Sequence, residues 1–177
     1  MRVRKILYHG TTMLRWEFIK KEGLLHSNMS KSFQAEEYLG FTVNVYLTTD
    51  PDEAVMYGLN KSLQDMEYLD LDGAVKTMKL NSNYRDPVVI GINTYKLGDH
   101  LEIDPKVNES LVKHIHNLQN KNTQWYTYKG DIKLKHLFVC KYCPFDIFSS
   151  NIKNELMRIN EEKLHASQLI MEKARLN

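Results

Sequence analysis

Apolar and polar residues along this chain follow two periods, and together they predict an α+β protein. Runs with strand-like alternation or continuous apolar character cover residues 3–8, 42–48, 87–93, 124–128 and 132–139. Helical spacing of apolar residues predicts helices over 14–22, 51–64 and 149–177. The polar segments 26–40 and 65–85 are expected to be loops, the second with room for a short helix, and 101–121 has a helical or mixed pattern.

The chain's length and its C-terminal pattern predict one domain with a helical extension. A chain of 177 residues is expected to form a single domain. We place that domain at residues 1–148 and its extension at 149–177, with Ser149 or Ser150 as helix cap and an apolar stripe of Ile152, Leu156 and Ile159. The favoured interpretation packs this helix on the body. The alternative is a helix that binds an inhibitor protein or a second copy.

Composition narrows the function classes. The net charge of +2 is too small to predict a nucleic-acid partner, and no apolar run has the length of a membrane span. The basic start of the chain leads into a strand, not a secretory signal, so a cytoplasmic location without membrane contact is expected. Cys140 and Cys143 are the only cysteines, half of a zinc site at most. We expect ordinary thiols and no metal, with a metal or redox role as the alternative.

Two tyrosines and a His-Gly-Thr-Thr run are the candidate site. His9 to Thr12 follow the first strand, Tyr46 lies at the exit of the 42–48 strand, and Tyr57 follows eleven residues later. Tyr57 is placed near the end of a helix that Asp50 or Asp52 would cap. Two aromatic side chains on neighbouring elements can enclose a flat, electron-poor ring, each adding about 1 kcal/mol of stacking energy. The order of these residues suggests a nicotinamide pocket.

These motifs resemble the NAD-binding half of the ADP-ribosyltransferase superfamily. The matching residues are His9-Gly10-Thr11, Tyr46-Leu47-Thr48 and the helical segment from Ala54 to Tyr57. They resemble the His-Tyr-Glu branch typified by diphtheria toxin and the poly(ADP-ribose) polymerases, over roughly residues 5 to 139. The resemblance implies an ADP-ribosyltransferase-like fold in which two small packed sheets, antiparallel or mixed, form an NAD cleft flanked by helices. NAD is then a co-substrate.

The resemblance also implies roles for single residues. His9 would bind a ribose hydroxyl, and the backbone of Gly10 would pair with the nicotinamide carboxamide. Tyr46 and Tyr57 would stack on the two faces of the ring. Thr11 or Thr48 would add hydroxyl contacts.

The third motif of this branch departs from the family pattern. Gln124 takes the position of the family's glutamate, and a shift of one residue in the alignment would select Thr123 instead. An amide can hydrogen-bond a ribose 2′-hydroxyl but cannot act as a general base at neutral pH. Elongation of an ADP-ribose polymer is therefore disfavoured, whereas transfer of a single ADP-ribose unit is allowed. Glu102 or Glu109 would be an alternative source of a carboxylate.

The leading function is a mono-ADP-ribosyltransferase, an enzyme of the glycosyltransferase class that modifies a protein or a nucleic acid. A toxin or phage-type effector is the expected setting. One alternative is an RNA 2′-phosphotransferase-like enzyme that uses NAD, since 45–54 and 87–90 resemble that family too. Others are a degenerate module that binds NAD or ADP-ribose, and an NAD hydrolase. Lys129, Lys133, Lys135 and Lys141 would face an acceptor's phosphates or form a solvated face.

Overall fold

The computed structural model describes residues 6–27, 44–71, 82–97, 100–103 and 123–175, which form a mixed α+β structure. Three α-helices lie in these ranges: α1 (Met13–Glu22), α2 (Pro51–Leu71) and α3 (Ser150–Arg175). The strands are β1 (Ile6–Thr12), β2 (Leu24–Leu25), β3 (Asn44–Thr48), β4 (Pro87–Asn93), β5 (Leu101–Ile103), β6 (Trp125–Lys129), β7 (Ile132–Lys133) and β8 (Leu137–Tyr142). Every pairing among them is antiparallel.

Six strands form one sheet in the order β5-β6-β3-β1-β4-β8, and β2 and β7 form a separate pair. β1 pairs with β4 from Ile6 to Thr12, but its register with β3 holds only Tyr8 opposite Thr48. The sheet is therefore two three-stranded halves, β5-β6-β3 and β1-β4-β8, joined at one residue pair. Sequence analysis expected two small sheets, and in the described residues they are continuous across this junction.

Helix α2 packs on β1 with backbone against backbone. A Cβ atom on Gly10 would lie 1.8 Å from the carbonyl oxygen of Ala54, and one on Gly58 would lie 2.7 Å from that of Thr11. Only residues without side chains allow this approach. On the opposite face of the sheet, α1 covers the apolar core of Leu7, Val45, Leu47, Ile90, Ile92 and Tyr126 with Trp16 and Ile19.

Three expected boundaries were wrong. His9 to Thr12 lie within β1, not after it. α2 extends to Leu71, so Tyr57 lies in its second turn; residues 65–72 contain no glycine or proline that would end the helix earlier. The 132–139 run is divided by a short 3₁₀ turn at Leu134–His136, since β7 pairs with β2 while β8 pairs with β4.

The C-terminal helix packs on the body, as its stripe predicted. The Oγ atom of Ser149 accepts the amide hydrogen of Ile152 at 3.4 Å and caps the helix. Leu156 and Ile159 are buried, in a cluster with Phe145 and with Met56, Leu59 and Leu63 of α2. No helix in the described part of the chain combines the length and apolar content that crossing a membrane requires.

Candidate functional site

His9 bridges the two halves of the sheet where they separate. Its Nδ1 lies 3.0 Å from the carbonyl oxygen of Tyr46. His9 comes one residue after Tyr8 and Tyr46 two residues before Thr48, the pair that joins the two strands. A carbonyl oxygen only accepts hydrogen bonds, so Nδ1 carries the proton. In the neutral ring, Nε2 is then an acceptor.

The surroundings of His9 keep it neutral. Burial disfavours the imidazolium and outweighs the hydrogen bond to Tyr46, and the positive charges of Lys61 and Arg15 act in the same direction as burial. Together they lower the pKa of His9 to about 4. At neutral pH the ring therefore offers Nε2 as an acceptor to a hydroxyl donor.

Tyr57 contacts an aromatic residue that sequence analysis did not assign to the site. Its ring centroid lies 4.8 Å from that of Trp125, with the planes tilted by 55°. Trp125 begins β6 opposite Thr48, so it joins α2 to the β3 half of the sheet. Its position next to Gln124 was the available signal. Tyr46 and Tyr57 are both half-buried, and stacking of a ligand ring between them stays a prediction.

Gln124 lies beside the start of α2, where its backbone is held on both sides. Its N–H donates to the Oγ1 atom of Thr49 at 2.9 Å, and its carbonyl oxygen accepts from the Thr49 N–H at 3.0 Å. The side-chain Oε1 atom accepts from the Tyr126 hydroxyl at 3.0 Å. The alternative position, Thr123, donates through Oγ1 to Asp50 at 3.2 Å. Both candidates therefore border the same corner.

The small residues of the motifs have structural partners. The close approach that Gly10 permits is to α2 at Ala54, which by itself explains the glycine. Thr11 is buried in the β1–α2 contact, and Thr48 Oγ1 accepts the Asp50 N–H at 3.1 Å. Asp50 in turn caps α2, because its Oδ1 accepts the Asp52 N–H at 2.9 Å. These contacts hold the start of α2 against β1 and β3. The ligand contacts expected of Gly10, Thr11 and Thr48 stay predictions.

Glu53 is the ionisable residue that sequence analysis missed. Its exposed fraction is 2%, and neither carboxylate oxygen has a hydrogen-bond partner within the described ranges. Burial, followed by the negative charges of Asp50 and Asp52, raises its pKa to about 7. The signal in the sequence was an acidic residue in the predicted helix, one turn before Tyr57.

The remaining candidates make other contacts. Burial raises the pKa of both Cys140 and Cys143, which leaves their thiols weakly reactive. The described residues contain no group of three metal-ligating side chains. Lys129 pairs with Glu102, and Lys141 pairs with Asp52. Glu109 lies outside the described residues. An open cavity of about 530 Å³, lined by Met13, Asn83, Tyr84 and Tyr142, shares no residue with the predicted site.

Comparison of this chain with protein-family models, with curated proteins and with solved structures finds no match.

Proposed function

We propose that this protein is an NAD-dependent mono-ADP-ribosyltransferase with an ADP-ribosyltransferase-like fold. It transfers ADP-ribose from NAD to a protein or nucleic-acid acceptor and releases nicotinamide. The proposal places NAD in the cleft between the halves β5-β6-β3 and β1-β4-β8. The motif residues His9, Tyr46 and Tyr57 and the aligned Gln124 would form its walls.

The observation that carries this proposal is the bond between His9 and Tyr46 at the junction of the two halves. It joins the first two motif residues directly, although they lie 37 positions apart. It also fixes the tautomer of a neutral imidazole, so that Nε2 can accept a hydrogen bond from a ribose hydroxyl.

The aromatic pair supports the placement of the nicotinamide end. Tyr57 is held at its tilt by Trp125, and the backbone carbonyl of Tyr46 accepts a hydrogen bond from His9. A ring fixed before binding, like that of Tyr57, loses little entropy when a ligand ring stacks on it. Cleavage of the glycosidic bond sends its electron pair to the nicotinamide nitrogen and leaves positive charge on the ribose. The Gln124 amide can hold a ribose hydroxyl during this step but cannot accept its proton.

One observation favours a second candidate, the RNA 2′-phosphotransferase-like enzyme. The positive charges of Arg15 and Lys61 act on His9 from α1 and α2. Cations near a histidine suit a phosphate group, whether it belongs to NAD or to a 2′-phosphorylated RNA. This leaves NAD in the same cleft and changes only the acceptor.

Release of free nicotinamide from NAD is the deciding experiment. Purified protein is incubated with NAD, with and without cell lysate, and wild type is compared with His9→Ala. Release that depends on lysate and falls at least tenfold in His9→Ala is the expected result. His26→Ala is the matched control, because His26 lies on the surface between Glu22 and Asp131 and should leave release unchanged. No release under any condition contradicts the transferase, and 2′-phosphorylated RNA is then tested as substrate.

A further inference from the structure

Glu53 is a buried acid without a counter-charge or donor among the described residues. Its side chain is 2% exposed, and both oxygens are buried without a partner. Burying an ionised carboxylate in this way costs several kcal/mol, so such groups are seldom kept for stability alone. The first turn of α2 also contains Asp52, which is exposed and paired with Lys141, so the two neighbouring acids have opposite environments.

The position of Glu53 places it at the site's corner. Glu53, Tyr57, Asn60 and Gln64 recur at spacings of four, three and four residues and so share one side of the helix, which we call the polar stripe of α2. Tyr57, one turn away, packs on Trp125. The helix start is also tied to the start of β6, since Thr123 bonds to Asp50 and Gln124 bonds to Thr49. Glu53 therefore lies one turn from these two bonded positions.

We infer that Glu53 supplies the carboxylate that Gln124 lacks, and that it acts as the general base for the acceptor. This assignment rests on the proposed transferase function and adds a catalytic residue that the motif alignment does not contain. A side chain on the first turn of α2 would thus replace one at the start of β6. The two positions border the same corner.

The transfer step balances with Glu53 in this role. The bond between the ribose C1′ and the nicotinamide nitrogen breaks, and its electron pair leaves with neutral nicotinamide. A lone pair of the acceptor's hydroxyl or amine forms the new bond to C1′. The proton released by the acceptor moves to a carboxylate oxygen of Glu53, which becomes neutral as the positive charge of NAD is lost.

The charges around Glu53 suit a base that works near neutral pH. Burial and the carboxylates of Asp50 and Asp52, on the same turn, raise its pKa to about 7. From β8, Lys141 bonds to Asp52 at 2.7 Å. Just before β6, Thr123 and Gln124, which bond to Asp50 and Thr49, carry no charge. A base is most efficient when its pKa lies close to the working pH.

The test compares Glu53→Gln with wild type in nicotinamide release and in NAD binding across pH 5 to 9. We expect kcat/KM of the wild type to fall tenfold per pH unit below about pH 7, since only the ionised carboxylate accepts a proton. Glu53→Gln should lose about 100-fold in release and lack this acidic limb, while the Kd for NAD changes less than threefold. Asp52→Asn is the matched control: it should keep the activity and move the limb to lower pH, because one of the charges that raise the pKa of Glu53 is removed.

The outcomes separate this assignment from the function itself. If the wild type releases nicotinamide and Glu53→Gln retains both activity and the acidic limb, Glu53 is not the base and the transferase stands. If the wild type releases none, the transferase and the base assignment fail together. Should Glu53→Gln fail to fold, the wild-type pH profile and Glu53→Asp decide: a flat profile, or full activity in Glu53→Asp with an unmoved limb, would overturn the assignment.

Discussion

Buried polar groups are hydrogen-bonded at one end of the polar stripe of α2 and lack a partner in the described residues at the other. Toward the helix C-terminus, Asn60 accepts a hydrogen bond from Asn160 of α3 at 2.8 Å, and Gln64 donates to the same residue at 3.3 Å. At the N-terminal end, Glu53 is more deeply buried than Asn60 and lacks a partner in the described residues. One side of the helix therefore contains a satisfied network and an unsatisfied acid about two to three turns apart.

The difference distinguishes the end of the stripe that stabilises the fold from the end that lies at the candidate site. Buried polar groups in folded proteins are nearly always hydrogen-bonded, because an unmet donor or acceptor costs about 1–3 kcal/mol and a charge costs more. α3 satisfies the end that it covers. The end beside Gln124 and Trp125 retains an unmet acid, which is typical of sites where pKa values are shifted for chemistry. Four variants test this comparison, in order of decreasing expected effect.

The largest effect is expected from Gly10→Ala, which separates α2 from β1. The new Cβ would meet the Ala54 carbonyl oxygen at 1.8 Å, so strand and helix must move apart at a cost of about 3 kcal/mol. Urea denaturation measures the free energy of unfolding. Gly58→Ala is the control, because its clash with Thr11 is milder at 2.7 Å and alanine regains about 1 kcal/mol of helix propensity. Equal losses in the two variants would contradict this packing.

Glu53→Gln should change the pH dependence of stability. The folded pKa of Glu53, about 7, lies above its unfolded value of 4.5, so the cost of its charge is absent below pH 4.5 and complete above pH 7. From pH 5 to pH 8, stability should therefore shift in favour of Glu53→Gln by about 2 to 3 kcal/mol. Denaturation at both pH values measures the shift. A variant difference that is the same at pH 5 and pH 8 would mean that Glu53 has a partner.

Asn160→Ala should destabilise the protein at the hydrogen-bonded end of the stripe. It leaves the oxygen of Asn60, a residue only 4% exposed, without its donor, at a cost of about 1–2 kcal/mol. Thermal unfolding is the measurement. Asn154→Ala removes an exposed asparagine from the same helix and should cost less than 0.5 kcal/mol. If both variants lose the same stability, the bond to Asn60 contributes nothing.

Tyr57→Ala should have the smallest effect, on ligand binding. Loss of one stacking surface, worth about 1 kcal/mol, should weaken the Kd for NAD about fivefold. Titration of protein fluorescence with NAD gives the Kd. Tyr95→Ala serves as control, because Tyr95 is 85% exposed and belongs to the turn after β4. Unchanged affinity in Tyr57→Ala would remove the aromatic slot from the proposal.

The sequence by itself determined the strands and helices with strong periodicity. The run that forms β4 is buried from Pro87 to Ile92, and the stripe of α3 is buried where Leu156 and Ile159 place it. Asp50 caps α2, one of the two residues predicted to do so. Local signals succeed here because periodicity and capping depend on residues within one or two turns.

Tertiary structure alone decided which residues meet. Three contacts join residues that are distant in sequence. They are the bond between His9 and Tyr46, the ring contact of Tyr57 with Trp125, and the pairing of 132–139 with two different strands. The burial of Glu53 belongs with them. Hydrophobic periodicity indicates which side of an element is apolar, but it does not show that packing removes a polar residue such as Glu53 from water. Desolvation and charge proximity are properties of the assembled site, and they set the pKa values on which its proposed chemistry depends.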